Sequence, residues 1–290
     1  MKILITGSSG YIGSYLASCL IENGHEVVGV DIASPVLEDK IGFTHYLSKF
    51  ETLTSSFISK FDVVIHLAAI SNVRDADQFP NRAIELNGIE TFRFVQLCND
   101  VSTKIIYASS GSIFSSNNGS DYSLKGMAVN AYDGSKMAAD LMVESVGLDA
   151  LAMCFGTLAG NSPSIRKELV FNAMSISSFE NGKVEVWNGD NLRSILFLRD
   201  LLKYINIILE NLDKVSGFSR VQMYSWSGSI NDLGFKISQY WNAEFKTILG
   251  EGTYSFVLSD HEFTKTFGKQ INKTSLLYET NKMKEYLHGK

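Results

Sequence analysis

Ile3-Leu4-Ile5-Thr6-Gly7-Ser8-Ser9-Gly10-Tyr11-Ile12-Gly13 joins an apolar run to a glycine-serine turn and then to an amphipathic stretch. The apolar run is short, and turn residues bound it, which reads as a buried strand. After the turn, Ile12, Leu16, Leu20 and Ile21 recur at helical spacing, and Asn23-Gly24 supplies a left-handed stop. Val27-Val28-Gly29-Val30 is a second strand, closed by Asp31. The opening therefore spells strand, turn, helix, strand. Backbone N–H groups and the positive end of the helix dipole converge on such a turn, which suits an anion. Glycine at 7 permits the tight turn, glycine at 10 a close approach to the backbone, and glycine at 13 close helix–strand packing.

The alternation continues outward. Residues 62–69 form a β-branched apolar run, 81–99 a helical pattern entered after Pro80, and 104–108 another strand. Residues 132–146 read as a helix ending at Gly147, and 151–155 as a strand. Near-continuous apolar strands separated by helices imply a parallel sheet covered on both faces. After Gly156 the pattern loosens. Residues 195–198 and a helix over 201–212 read as a return to the sheet layer, and the rest is aromatic and polar. The expected division is a sheet domain of residues 1–157 plus about 193–212. A smaller, interleaved α/β domain takes about 158–192 and 213–290.

Composition limits the function. Of 290 residues, 45% are hydrophobic and 20% charged, a globular balance. A net charge of -5 provides no general attraction to nucleic acid or anionic membrane, and neither is an expected partner. Cys19, Cys98 and Cys154 are far apart in apolar contexts, so buried thiols are expected rather than disulfides or a zinc site. The five histidines show no metal-ligand spacing, and no metal is expected. The N-terminus enters a strand directly, without a signal-peptide pattern, and no run reaches the roughly 18 apolar residues of a membrane helix. A cytoplasmic protein is expected.

Three groups carry chemistry. Asp31 follows Gly13 by 18 residues, the position of an acid that accepts from an adenosine ribose and repels a 2′-phosphate. The next basic residue is Lys40, so NAD is expected over NADP. Tyr132 and Lys136 lie four apart at a helix start and share a face. An ammonium beside a phenol favours phenolate and suits it to general acid–base work. Ser109-Ser110 follows the strand 104–108, at the sheet end that faces a ligand crevice, where a hydroxyl can orient a substrate oxygen. Ser115 and Ser116 read as ordinary turn residues.

With these features the sequence resembles the extended short-chain dehydrogenase/reductases, the NAD-dependent sugar epimerases and dehydratases. The resemblance rests on Thr6-Gly7-Ser8-Ser9-Gly10-Tyr11-Ile12-Gly13, Asp31, Asp62-Val63-Val64-Ile65-His66-Leu67-Ala68-Ala69, Asn87, Tyr107-Ala108-Ser109-Ser110 and Tyr132-Asp133-Gly134-Ser135-Lys136. Phe155-Gly156-Thr157-Leu158-Ala159-Gly160, Arg193 with Phe197-Leu198-Arg199-Asp200, and Ser255 to Gly268 extend it over nearly the whole chain. It implies a doubly wound (Rossmann) sheet with a C-terminal substrate domain.

The resemblance also implies roles. Tyr132 is the acid/base, Ser110 its partner on the substrate oxygen, and Lys136 also holds the nicotinamide ribose. NAD lies along Gly7, Ser9, Gly10, Tyr11, Ile12, Gly13, Asp31, Leu67, Ala68, Ala69, Ala108 and Ser109, with Asn87 supporting the helix near the site. Ser110, Gly111, Ser112, Asn172 and Arg193 face a nucleotide-diphosphate sugar. His66 is structural. Where 4,6-dehydratases carry Asp-Glu, this chain has Gly111-Ser112, which disfavours dehydration. The family's Arg before the Phe-Gly-Thr segment is Cys154, and the third strand ends in His45-Tyr46-Leu47-Ser48 rather than an Asp. An epimerase working through a keto sugar is the first expectation. A one-way reductase or dehydrogenase of a nucleotide sugar is the second, and a non-catalytic NAD sensor the third. Met137, Ala138, Leu141, Met142 and Val146 give the 132–146 helix more apolar surface than one stripe needs, so a homodimer is expected.

Overall fold

Alternate residues of the first strand face opposite layers in the computed structural model, which describes residues 1–37, 41–114, 128–250 and 255–289. Lys40, Ser115 and Ser116 lie outside the described residues. Ile3 and Ile5 of β1 (Lys2–Thr6) join one hydrophobic cluster, and Leu4 joins the other. Such two-sided burial is why these strands read as continuous apolar runs instead of alternating ones.

The elements follow in order. α1 (Tyr11–Glu22), β2 (Glu26–Asp31) and β3 (Phe43–Leu47) come first, then α2 (Ser55–Ile58), β4 (Val63–His66), α3 (Val73–Gln78) and α4 (Pro80–Ala83). A π-helical segment, Ile84–Glu90, runs into α5 (Thr91–Asp100). β5 (Lys104–Ala108), α6 (Ala131–Ser145), β6 (Ala150–Phe155), β7 (Thr157–Ala159), α7 (Val170–Asn181), β8 (Lys183–Trp187) and β9 (Leu192–Phe197) follow. The chain ends with α8 (Leu198–Leu209), β10 (Phe218–Met223), β11 (Trp226–Ser229), α9 (Ile230–Trp241), β12 (Glu244–Ile248), α10 (His261–Phe267) and α11 (Leu276–His288).

Seven of the described strands make one parallel sheet, ordered β10-β6-β5-β4-β1-β2-β3. α1, α8 and α10 cover one face through Leu16, Leu20, Leu201, Tyr204, Phe263 and Phe267. α5 and α6 cover the other through Phe94, Val95, Cys98 and Val143. β1 has β2 on one side and β4 on the other, so the chain reverses its direction across the sheet there. Beyond the carboxyl ends of those strands lies the crevice where open α/β sheets bind ligands.

Two segments differ from the sequence expectation. β10 lies inside the range expected for the second domain, yet it pairs with β6 at the sheet edge, with Arg220 opposite Ala152. β9 was expected in the main sheet, but it pairs with β7 and β11 in a separate three-stranded sheet, and only α8 returns to the main layer. A third core, around Phe171, Val184, Val186, Phe197, Leu233 and Met283, holds α7, α9 and α11 against the smaller strands. No helix among the described residues is long and apolar enough to cross a membrane.

Candidate active site

The glycine turn closes tightly. Gly7 has φ +74, and a Cβ there would lie 2.7 Å from the Ala68 backbone nitrogen. A Cβ on Gly13 would lie 2.1 Å from the Gly7 carbonyl oxygen, so α1 can approach the turn only with glycine at 13. Gly10 is different: it is exposed and borders an open cavity. No side chain caps α1, and its first turn holds no acid, so its leading N–H groups face that cavity without a competing anion.

The cavity, of about 760 Å³, runs past the carboxyl ends of β1 to β4. Gly7, Ser9, Gly10, Tyr11, Ile12, Gly13, Asp31, Leu67, Ala68 and Ala69 all line it, which brings ten of the expected cofactor residues together. The Asp31 carboxylate is fixed by the N–H of Ser9 at 2.9 Å and that of Ala33 at 2.9 Å. Its remaining lone pairs can accept from two ribose hydroxyls. Residues 48–52 form the wall that the sequence left open, because β3 ends where a family acid is absent. A dinucleotide fits this donor set: an acid for the ribose, uncapped N–H groups for the diphosphate, and an apolar floor at Leu67, Ala68 and Ala69.

The chemical groups sit on α6 and at the end of β5. Lys136 is buried, and its Nζ donates to the Ala108 carbonyl at 2.9 Å. Burial pulls its pKa down to about 8, against the opposing charge of Asp140. Asp140 accepts from the Tyr107 hydroxyl (2.7 Å), the Ser109 hydroxyl (2.8 Å) and Arg220 Nε (2.9 Å). Ser109 is thus tied beneath the site. Cys154 is buried and carries no charge to this carboxylate; the guanidinium comes from Arg220 on the neighbouring strand.

Ser110 is nearly buried, and its hydroxyl shares a hydrogen bond of 2.7 Å with that of Ser112. The Ser112 hydroxyl in turn donates to the Asp133 carboxylate. Asp133 follows Tyr132 in the first turn of α6, so Ser112 and Ser110 are tied to the helix start that carries Tyr132. Asn87 lies in the π-helical segment. Its Nδ2 donates to the Ser135 hydroxyl (3.0 Å) and the Ile70 carbonyl (3.0 Å), while its Oδ1 accepts from the Ile70 N–H (2.8 Å). It fastens the loop after β4 to α6 and does not line the cavity. His66 bonds Thr6 and Thr91 through its two ring nitrogens. Burial, helped by the Lys136 charge, holds its pKa at about 3, so it stays neutral and structural.

Three expected substrate residues face elsewhere. A Cβ on Gly111 would lie 2.3 Å from the Phe155 carbonyl oxygen and 2.8 Å from Leu258 Cδ1, so this position packs inward. The same contact leaves no room for an acid there. Ser112 backs Ser110 rather than opening to a ligand. Asn172 is fully buried. Its Oδ1 accepts from the Gly160 N–H, and its Nδ2 donates to the Tyr11 hydroxyl and the Arg166 carbonyl, so its amide is satisfied within the protein. Arg193 lies on β9 with its guanidinium 4.7 Å from the Phe256 ring centroid.

Sequence reasoning passed over four residues. Arg166 borders the cavity and reaches the Ser71 carbonyl, but it lies in an aperiodic loop with no motif. Arg220 was unreadable because β10 was assigned to the wrong layer. Asp133 and Asp140 did carry a signal. They flank Lys136 at helical spacing, on the same turns of α6.

The comparisons agree with this fold. In sequence, Protein CapI of Staphylococcus aureus is 27% identical over 263 residues, 83% of this chain and 76% of that protein. In structure, the chain matches UDP-N-acetylglucosamine 4-epimerase from Methanobrevibacter ruminantium M1 with a TM-score of 0.87 at 17% identity, over 100% of this chain and 99% of that one. It matches the UDP-glucuronic acid 4-epimerase of Bacillus cereus with a TM-score of 0.82 at 19% identity, over 99% and 100%. The sequence profile "NAD dependent epimerase/dehydratase family" covers residues 3–221. With a profile match over most of its length, the chain belongs to the NAD-dependent epimerase/dehydratase family.

Proposed function

We propose that this protein epimerises a nucleotide-diphosphate-linked sugar through a transient keto intermediate. The observation that supports the reading is the bond from Lys136 Nζ to the Ala108 carbonyl, which ties α6, the helix that also carries Tyr132, to the end of β5 just before Ser110. NAD held by the glycine cradle and Asp31 would supply a hydride acceptor, and then donor, for a sugar carbon. Tyr132 removes the proton of the hydroxyl on that carbon and later gives it back. Lys136, held by the Ala108 carbonyl, stabilises the phenolate that forms. Ser110 orients the sugar oxygen.

Elimination of water needs an acid and a base at the sugar. The packing of Gly111 and the inward turn of Ser112 support epimerisation over dehydration. UDP-linked sugars are the first substrates to try, since the structural relatives named above act on UDP-N-acetylglucosamine and UDP-glucuronic acid. Arg193 and Arg166 are the candidates for the sugar's diphosphate, because a guanidinium can hold phosphate oxygens in a bidentate fashion. The three cysteines are thiols rather than disulfides, which supports a reducing, cytoplasmic setting.

Tyr132→Phe tests the assignment. Turnover of the active UDP-sugar should fall by roughly a thousandfold, within the ordinary contribution of a general acid–base group. NAD retention, read by isothermal titration, should be nearly unchanged. Undiminished turnover would remove Tyr132 from the mechanism. Stoichiometric accumulation or consumption of NADH by the wild type would favour a one-way oxidoreductase.

A further inference from the structure

The segment between β7 and α7, residues 160–166, is fastened to the cofactor turn. The Tyr11 hydroxyl, from the first position of α1, donates to the Gly160 carbonyl at 2.6 Å. The Tyr11 carbonyl accepts from the Ser162 hydroxyl at 2.7 Å, and Ser14, one turn on, bonds that same hydroxyl at 3.1 Å. Asn172 of α7 holds both ends of the segment. It accepts from the Gly160 N–H at 3.0 Å and donates to the Arg166 carbonyl at 2.9 Å. Arg166 then reaches the loop after β4, where its Nη1 donates to the Ser71 carbonyl at 3.3 Å. Arg166 and Ser71 both line the cavity. We propose that residues 160–166 are a strap across the cofactor cavity, and that the Arg166 guanidinium clamps the NAD diphosphate beneath it.

The donors that remain support the clamp. A guanidinium carries five N–H groups. Nε is committed to Glu168 Oε1 at 2.6 Å and one N–H of Nη1 to Ser71, which leaves three beside the cavity among the described contacts. The Glu168 carboxylate is largely exposed, so water screens its charge. Among the lining cations Lys49, Arg82 and Arg166, it is Arg166 that sits on a segment bonded to Tyr11. The Tyr11 N–H belongs to the uncapped start of α1. A fork of N–H groups tied to a helix start with unmet donors suits the two charges of a diphosphate. This assigns Arg166 to the cofactor and leaves Arg193 for the diphosphate of the sugar.

The benefit of the strap rests on the epimerase reading, in which the hydride returns from the same nicotinamide that took it. The cofactor must then outlast both steps. A strap bonded to α1 on one side and to the loop after β4 on the other keeps it in place between them.

NADH release decides the matter. The purified protein is loaded with NADH, freed of excess by gel filtration and mixed with a large excess of NAD, and the nicotinamide fluorescence reports the release rate. Arg166→Ala should speed release by about tenfold or more, the scale of one charge-assisted hydrogen bond. Arg166→Lys keeps the charge but loses the fork, and its rate should fall between the two. Ser162→Ala cuts a tie to Tyr11 without removing a charge, and should speed release by roughly threefold or more, the scale of a neutral hydrogen bond. Release from Arg166→Ala at the wild-type rate would overturn the clamp, and the same result for Ser162→Ala would overturn the strap. A raised KM for the UDP-sugar with unchanged NADH release would give Arg166 to the sugar and overturn the assignment. If no UDP-sugar is turned over, the epimerase reading fails, while NADH release still judges the strap and its clamp.

Discussion

At the residue scale, the cofactor role proposed for Asp31 rests on a charge fixed in place. Two backbone N–H groups hold its carboxylate in the cavity wall, so it is oriented before any ribose arrives. Asp31→Ala should weaken NAD binding by about 1.5–3 kcal/mol, the worth of hydrogen bonds to a charged group. The preference for NAD over NADP should narrow as well, because the repulsion of a 2′-phosphate is gone. Titration calorimetry with both nucleotides reads this directly, and an unaltered ratio would remove Asp31 from cofactor choice. The place of Asp31 in the cavity wall, and of Tyr132 and Lys136 four apart on α6, was legible because spacing alone fixes those positions. Gly111, Ser112 and Asn172 were not legible as inward-facing residues. Spacing gives a position along the chain, but the direction of a side chain depends on contacts such as Phe155, Asp133 and Tyr11, which are remote in sequence.

At the element scale, close approach between backbones organises the site. Gly13→Ala would press a methyl against the Gly7 carbonyl, with backbone on both sides and little freedom to shift. It should destabilise the fold by roughly 2–3 kcal/mol, as overpacking does, and weaken NAD binding; urea unfolding and calorimetry read the two effects. The π-helical segment before α5 could not be read from apolar spacing, which a single π turn hardly disturbs. Yet it carries Asn87, the latch between α6 and the loop after β4. Gly88 beside it lets α6 pack closely, with a Cβ there only 3.3 Å from that of Ala138.

The last helix carries a pH-sensitive group. Glu279 of α11 is buried, one of its oxygens has no hydrogen-bond partner, and burial pushes its pKa up to about 7. In the unfolded chain the group ionises near pH 4.5. Below that pH both states hold the proton and nothing is lost. As pH rises toward about 7 the unfolded chain releases its proton first, so stability falls through this window. Glu279→Gln should therefore unfold at a higher temperature than wild type at about pH 8, with a gain on the order of 2 kcal/mol that disappears by about pH 4. A gain equal at both pH values would mean that the carboxylate charge is not its source.

At the scale of the whole molecule, the parallel core was legible because two-sided burial writes itself as unbroken apolar strands. β10 was not, because its partner β6 ends more than sixty residues earlier and an excursion through the smaller sheets lies between. The surface that remains bears on the proposed assembly. Ile84 and Ile89 of the π-helical segment, Leu141 of α6 and Val146 just past its end are exposed, and the two helical segments pack side by side. This supports a homodimer through that face. Leu141→Asp should yield a monomer by light scattering while leaving the α/β circular dichroism intact; a wild-type monomer would refute the pairing.

The central claim is reversible oxidation of a nucleotide sugar by the Tyr132, Lys136 and Ser110 set. The most direct measurement incubates the NAD-loaded protein with UDP-glucuronic acid, UDP-N-acetylglucosamine and UDP-glucose in turn. Products are read by proton NMR, and reduced nicotinamide by its absorbance. The expected result is a stereoisomer of one of these sugars, with no net change in NADH and no product in Tyr132→Phe. Conversion of none of them, or formation of NADH in step with product, would contradict it.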